Sequence, residues 1–332
     1  MKGNLHGWMP RWHPVLAMVE FLAIGALALD AAFGWPGWLY RRAGHPVGAF
    51  ARIIDTCETR WNRPVHAARR RRLAGVAAML VLILASGGTA FAVEWSIRAL
   101  AGAWAWLPLA FAAWPALAQR SLYDHFRPVA QALSEHDLIA ARTAVGRIVG
   151  RDTGALDNAG VSRAAIESLA ESFCDGVIAP LFWLCVLGLP GVWVYKAINT
   201  ADSLIGHPEE PLRDYGWAGA RIDDLANLIP SRLSAVLICL AGVEGFRNGW
   251  RIMWRDHGQH ASPNAGWPEA AMAGTLGIRL AGPVRYDGIV SAKPWIGDGG
   301  EASLEAVRRA GTIFVRACML AWIAVGAMTW LA

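Results

Sequence analysis

Two stretches of the chain, residues 73–93 (LAGVAAMLVLILASGGTAFAV) and 99–118 (ALAGAWAWLPLAFAAWPALA), each run for about twenty residues without a charge. At 1.5 Å per residue, a helix of that length matches the ~30 Å hydrocarbon core of a bilayer, so both are expected to cross one. Residues 15–33, with only Glu20 and Asp30, and residues 310–332, with only Arg316, are expected to span as well. Segment 233–246 is short, and 176–195 carries Pro180 and Pro190, so the latter is expected to be broken or re-entrant. An apolar content of 55% with 18 Trp in 332 residues agrees with a membrane protein. Period-2 strand patterns and internal repeats are absent. The expected fold is an all-α integral membrane protein: one membrane-embedded domain over 1–332 with about four to six transmembrane or re-entrant helices.

Charge sets the expected orientation. Nine arginines fall between positions 41 and 72, including Arg69 to Arg72, against Asp55 and Glu58. A basic block touching an apolar run marks the cytoplasmic end of a span, which makes 41–72 and the polar stretch 119–175 cytoplasmic and the N-terminus external. No cleavable signal peptide is expected, and the first span stays as an anchor. Five cysteines without a CxxC pair, mostly in apolar runs, support neither a zinc site nor a disulfide framework.

Four polar constellations interrupt the apolar sequence. In SRAAIESLAESFCDGVIAP, Arg163, Glu167, Glu171 and Asp175 recur every fourth position and so share one helix face, with Ser162 as its N-cap. A solvated face with one Arg–Glu pair would carry the same pattern. The segment runs straight into apolar sequence, however, where carboxylates are costly unless paired, metal-bound or facing a wet cavity. In YKAINTADSLIGH, Lys196, Asn199 and Asp202 follow; in YGWAGARIDDLANLIPSRL, helical spacing presents Asp223, Asp224 and Asn227 between Arg221 and Arg232. Two carboxylates and an amide oxygen are hard ligands that suit Mg²⁺. In HASPNAGWPEAAMAG, Ser262 and Asn264 precede Pro268 at a first helical turn, where free backbone N–H groups could meet an anion. No P-loop pattern occurs.

Taken in order, DAAFGWPGWL with the following HPV, VGRIVGRDT, the Glu167–Asp175 segment, YKAINTADSLIGH, YGWAGARIDDLANLIPSRL and SPNAGWPEAAMAGTLGIRLAGP resemble the cobalamin-biosynthesis proteins called CobD or CbiB, the adenosylcobinamide-phosphate synthases. The likeness covers about residues 25 to 285. It departs at Gly34–Trp35–Pro36, where the family reads closer to GDP, and in the loop after Gly206. The resemblance implies an inner-membrane enzyme, with its site facing the cytoplasm, that joins adenosylcobyric acid to (R)-1-amino-2-propanol or its O-phosphate using ATP. The adenosylcorrinoid would be substrate, the bilayer and other late-pathway enzymes the partners, and nucleic acid none.

Such a ligation passes through an acyl phosphate, so it needs metal-binding carboxylates, phosphate-binding cations and a base. Residue chemistry offers Glu167, Glu171, Asp175, Lys196 and Asp202 for catalysis. Arg151, Arg221, Arg232, Ser262 and Asn264 are offered for the nucleotide and other phosphate groups, and Asp223, Asp224 and Asn227 for the metal. Two rival readings are a membrane-embedded polyprenyl transferase, suggested by NTAD and DDLAN, and a non-enzymatic membrane sensor or scaffold.

Overall fold

A computed structural model describes residues 13–150, 152–286, 289–291 and 293–328. The helices are α1 (His13–Phe33), α2 (Gly37–Ala43), α3 (Val47–Trp61), α4 (Ala68–Ala101), α5 (Trp106–Ala113), α6 (Gln119–Ser134), α7 (Leu138–Val145), α8 (Asn158–Phe173), α9 (Ala179–Ile205), α10 (Trp217–Ala226), α11 (Leu228–Ala241), α12 (Phe246–Asp256), α13 (Gly266–Leu276) and α14 (Leu304–Gly326). Four short strands make two antiparallel pairs, β1 (Leu280–Ala281) with β4 (Trp295–Ile296) and β2 (Val284–Tyr286) with β3 (Ile289–Ser291). The fold is all-α, as expected. By length and apolarity three of the described helical stretches can cross a bilayer, or up to five if each bent pair counts as one span.

The helix α4 is the rod against which the polar segments are placed. Leu80, Leu84, Phe91 and Leu100 are exposed on it while Ala78, Met79, Leu82 and Ala90 face the core, a surface suited to lipid on one side and protein on the other. At its basic end Arg71 pairs with Glu210 at 2.8 Å and Asp214 at 2.9 Å, and Arg72 pairs with Asp214 at 3.0 Å. At its other end Arg98 pairs with Glu94.

Counted by length alone, residues 158–205 form one 48-residue stretch. The contacts show that they fold back. Asp175 accepts a hydrogen bond from Asn199 Nδ2 at 3.1 Å, although a straight helix would hold these residues ~36 Å apart. The reversal is at Gly188, whose φ of 66° and ψ of −151° lie outside the helical region and favour glycine. Leu189 N–H then donates to Glu94 Oε2 at 2.8 Å, so a carboxylate of α4 caps the returning limb. A Cβ on Gly188 would stand 2.7 Å from that same oxygen. The descending limb packs its Trp183 indole on Ala226 O at 3.1 Å, and the returning limb runs antiparallel to α4, with Val194 against Gly87 and Ala201 in the cluster of Met79 and Leu82. The helix is thus broken within 176–195, at Gly188.

The stretch 99–118 differs from its expected single span. α4 ends at Ala101 and Gly102 takes a φ of 52°; the chain then forms a 3₁₀ turn (Gly102–Trp104), the 8-residue α5 and a second 3₁₀ turn (Trp114–Ala116). Pro115, with its fixed φ and missing N–H, sits in the last of these. α5 is ~12 Å long and packs beside α1. In the 15–33 region, Met18–Phe33 is bent by 104° from Gly37–Ala43 at Gly34, and 233–246 is served by α11, bent by 50° from α10. The 310–332 segment is α14, from Leu304 to Gly326.

Asp30, the buried acid of the first apolar stretch, accepts the Gln119 N–H at 2.7 Å and the Arg120 N–H at 3.3 Å. It thus caps α6 from α1, and Gln119 continues the tie through its amide to Leu27 O at 2.6 Å and from Trp322 Nε1 at 3.1 Å. With the native cysteines replaced, single cysteines at Ser172, Glu209 and Gln259 should react with an impermeant maleimide from one face of the membrane, and one at Trp104 from the other. Labelling of positions 172 and 209 from opposite faces would contradict the hairpin.

Candidate active site

The hairpin gathers five carboxylates. Glu171, Asp175, Asp202, Asp223 and Asp224 line one cavity of about 460 Å³, together with Arg221, Asn227, His260, Ser262 and Asn264. It lies at the level of Met79 and Leu82, where Gly219 approaches Met79 Sδ, roughly 10–15 Å along α4 from Arg72. Asp175 sits in a π-helical turn, Cys174–Ile178, that interrupts α8 and α9. Such turns add a residue to the helical circuit and re-aim side chains.

At the buried end Asn199 stands between Asp175 (3.1 Å) and Asp223 (3.5 Å), donating to both carboxylates through one amide. Asn227 Nδ2 donates to Asp223 Oδ2 at 2.9 Å, and Tyr195 OH donates to Asn227 Oδ1 at 3.0 Å. The chain Tyr195–Asn227–Asp223 fixes the orientation of the acid. Lys196 is close enough to Asp175 and Asp223 to feel both charges. Among the described residues, Glu171 and Asp202 receive no side-chain hydrogen bond, so both carboxylates stay available to a ligand.

At the mouth Arg221 pairs with Asp224 at 2.9 Å. The 260–265 loop is pinned beside them. Asn264 Nδ2 donates to Asp224 O at 2.7 Å, and Arg232, stacked 4.7 Å over Trp267, donates to Asn264 Oδ1 at 2.8 Å. Ser262 Oγ accepts the Asn264 and Ala265 N–H groups at 3.2 and 3.3 Å, so its hydroxyl shapes the turn. His260 Nδ1 accepts the Ser262 N–H at 2.9 Å and its Nε2 faces buried Glu269 at 3.7 Å. Burial lowers the imidazole pKa below its ordinary range.

Several expected roles change in this geometry. Asn227 Oδ1, expected on a metal, accepts from Tyr195 OH, while its Nδ2 orients Asp223. Glu167 is turned away from the cavity: its Oε1 accepts the Ala281 N–H at 2.7 Å, with Arg163 at 3.9 Å, and it anchors β1 to α8. Arg232 and Lys196 support the lining from behind it, and Arg151 lies outside the described residues. Among the described residues, no group of three His, Cys, Asp or Glu forms a ready metal cage. Reading the sequence missed His260, Glu269 and Tyr195. All three lie inside motifs that the sequence singles out, but spacing alone does not show that Tyr195 meets Asn227 or that His260 faces Glu269.

The sequence matches the family described as CobD/Cbib protein over residues 23–314. The chain belongs to the CobD/Cbib family. It is 47% identical over 283 residues to the Cobalamin biosynthesis protein CobD of Rhodobacter capsulatus, covering 83% of this chain and 86% of that one. With the protein of the same name from Rhizobium meliloti it shares 44% over 310 residues, 91% of this chain and 94% of the relative. The corresponding figures for Brucella suis are 44% over 300 residues, 85% and 87%. No solved structure matches. As a CobD family member the chain has its role in cobalamin biosynthesis.

Arg232→Ala removes the stacked cation and the hydrogen bond to Asn264 together. It should lower stability by about 1–3 kcal/mol and speed amide exchange over 260–265 while leaving exchange in α4 unchanged. Thermal unfolding in detergent and hydrogen-exchange mass spectrometry measure the two effects.

Proposed function

We propose that this CobD family member forms adenosylcobinamide or its phosphate by ATP-dependent amide synthesis between the free propionate of adenosylcobyric acid and the amine of (R)-1-amino-2-propanol or its O-phosphate. The observation that carries the reading is the convergence of Glu171, Asp175, Asp202, Asp223 and Asp224 on one cavity in a family named for cobalamin biosynthesis. A carboxylate and an ammonium do not condense usefully in water. Activation of the propionate by phosphoryl transfer and attack of the neutral amine, with loss of phosphate, supply the driving force.

Asp175 and Asp223 fit a magnesium ion in kind and number, since this ion keeps several waters and takes one or two carboxylates beside substrate phosphates. Bound there, Mg²⁺ would offset the charge on the phosphoryl oxygens. Asn199 and Asn227 hold the two acids in place. Glu171 and Asp202, free of side-chain hydrogen bonds among the described residues, receive the proton that the ammonium must lose before attack. Arg221, at the mouth, is placed to meet a phosphate group, and His260 keeps the 260–265 wall in register. The site lies toward the Arg71–Arg72 end of α4, which by the positive-inside tendency supports an opening on the cytoplasmic face.

Asp175→Asn and Asp223→Asn should each reduce turnover about a hundredfold to a thousandfold, the loss of ~3–4 kcal/mol of charge stabilisation, with insertion and folding retained. Asp224→Asn, at the mouth and already paired with Arg221, should cost about tenfold. The assay is product formation in membranes from adenosylcobyric acid, aminopropanol or its phosphate, and Mg-ATP, at matched protein levels. Partial rescue by Mn²⁺ would tie the loss to the metal, whereas near wild-type turnover in both the Asp175 and Asp223 variants would reject this site.

A further inference from the structure

α14 carries an unpaired cation within its membrane-crossing stretch. Arg316 lies about three turns from the helix start and is exposed, and no hydrogen bond or ion pair to it is found among the described residues. Its neighbour Arg309 instead turns inward to the carbonyls of Leu276 and Thr275, both at 3.5 Å. A charge on the lipid face of a span is costly unless it meets an anion or reaches the interface. Arg316 shares its face with Arg308, Val315 and Met319, and these meet Phe126 and Arg127 of α6 across a groove of about 530 Å³. Arg127 and Arg308 are likewise exposed and without a hydrogen bond or ion pair among the described residues, and no carboxylate lines the groove.

The groove opens on the basic side of the molecule. Arg98 Nη1 lies 3.1 Å from Met18 Sδ, and Gly326 approaches Glu20, so the C-terminal end of α14 lies with Arg98 and the far end of α4. The N-terminal end, with Arg308, therefore lies toward Arg71 and Arg72. Helical side chains tilt toward the N-terminus, so Arg316 reaches back along the groove toward Arg308 and Arg127.

We propose that the groove between α6 and α14 binds one anionic phospholipid from the leaflet on the Arg71–Arg72 side. The lipid phosphate pairs with Arg127, Arg308 and Arg316, and an acyl chain lies along Val315 and Met319. Three cations without an acid among them favour a headgroup of net negative charge over one that carries its own ammonium.

The full chain in detergent is titrated with phosphatidylglycerol, with phosphatidylcholine of the same acyl chains, and with soluble glycerol phosphate. Binding is read by native mass spectrometry and by the shift in melting temperature. Phosphatidylglycerol should bind saturably, at least about tenfold tighter than phosphatidylcholine, and glycerol phosphate should leave the melting temperature unchanged. Each of Arg127→Gln, Arg308→Gln and Arg316→Gln should weaken phosphatidylglycerol roughly fivefold, and the triple variant about a hundredfold. Arg316→Lys should stay within a few-fold of wild type and guards against a folding artefact. Equal binding of the two lipids, unchanged affinity in the variants, or a full shift from glycerol phosphate would each overturn the proposal. Because the readout is binding, the result is independent of the reaction that the carboxylate cavity performs.

Discussion

The chain reversal at Gly188 is the constraint on which the carboxylate cavity depends. A glycine in the left-handed region turns the chain, and Glu94 accepts the first N–H of the returning limb, so a helix-breaking event in an apolar setting still leaves its backbone donor satisfied. Without that turn, Asp175 and Asn199 would lie a membrane's thickness apart. With it, one asparagine amide serves acids from two elements, Asp175 in the π turn and Asp223 in α10.

Placing several acids together in a protein interior is unfavourable unless each is compensated. The cavity manages this unevenly. Asp223 is oriented by Asn227 and Tyr195, Asp175 by Asn199, and Asp224 by Arg221, with Lys196 nearby as the cation for the inner pair. Glu171 and Asp202 accept no side-chain hydrogen bond among the described residues. That division separates a rigid, pre-oriented wall from groups that can respond to a ligand, and it is the arrangement expected when a metal-phosphate complex and an ammonium must occupy one cavity.

The wall opposite the acids depends on a different kind of contact. Arg232 lies over Trp267 and reaches Asn264, whose amide in turn holds Asp224 O. A cation fixed by an aromatic face and one side-chain amide thus couples α10, α11 and the start of α13, so the cavity mouth is part of the packed framework even though loop residues form it.

Much of the architecture was legible in one dimension. Long uncharged runs and the block Arg69–Arg72 mark α4 and its basic end, and fourfold spacing puts Glu171 and Asp175 on one helix face, because helix rise, period and desolvation cost act locally along the chain. Pro180, Pro190 and the flanking acids likewise announced a broken segment at 176–195. The same local reading gave 99–118 as one helix-length run where the structure has two 3₁₀ turns around α5, since apolarity measures solvent preference and not where the backbone turns. It also put Glu167 in the site, did not see the bond between Tyr195 and Asn227, and left out His260. Those assignments turn on which way a side chain points and what it meets: Ala281 N–H for Glu167, Tyr195 OH for Asn227. Such partners lie far apart in sequence and become neighbours only through the Gly188 reversal and helix packing, so residue type and spacing set the inventory of acids, while tertiary contacts decided which of them face the cavity.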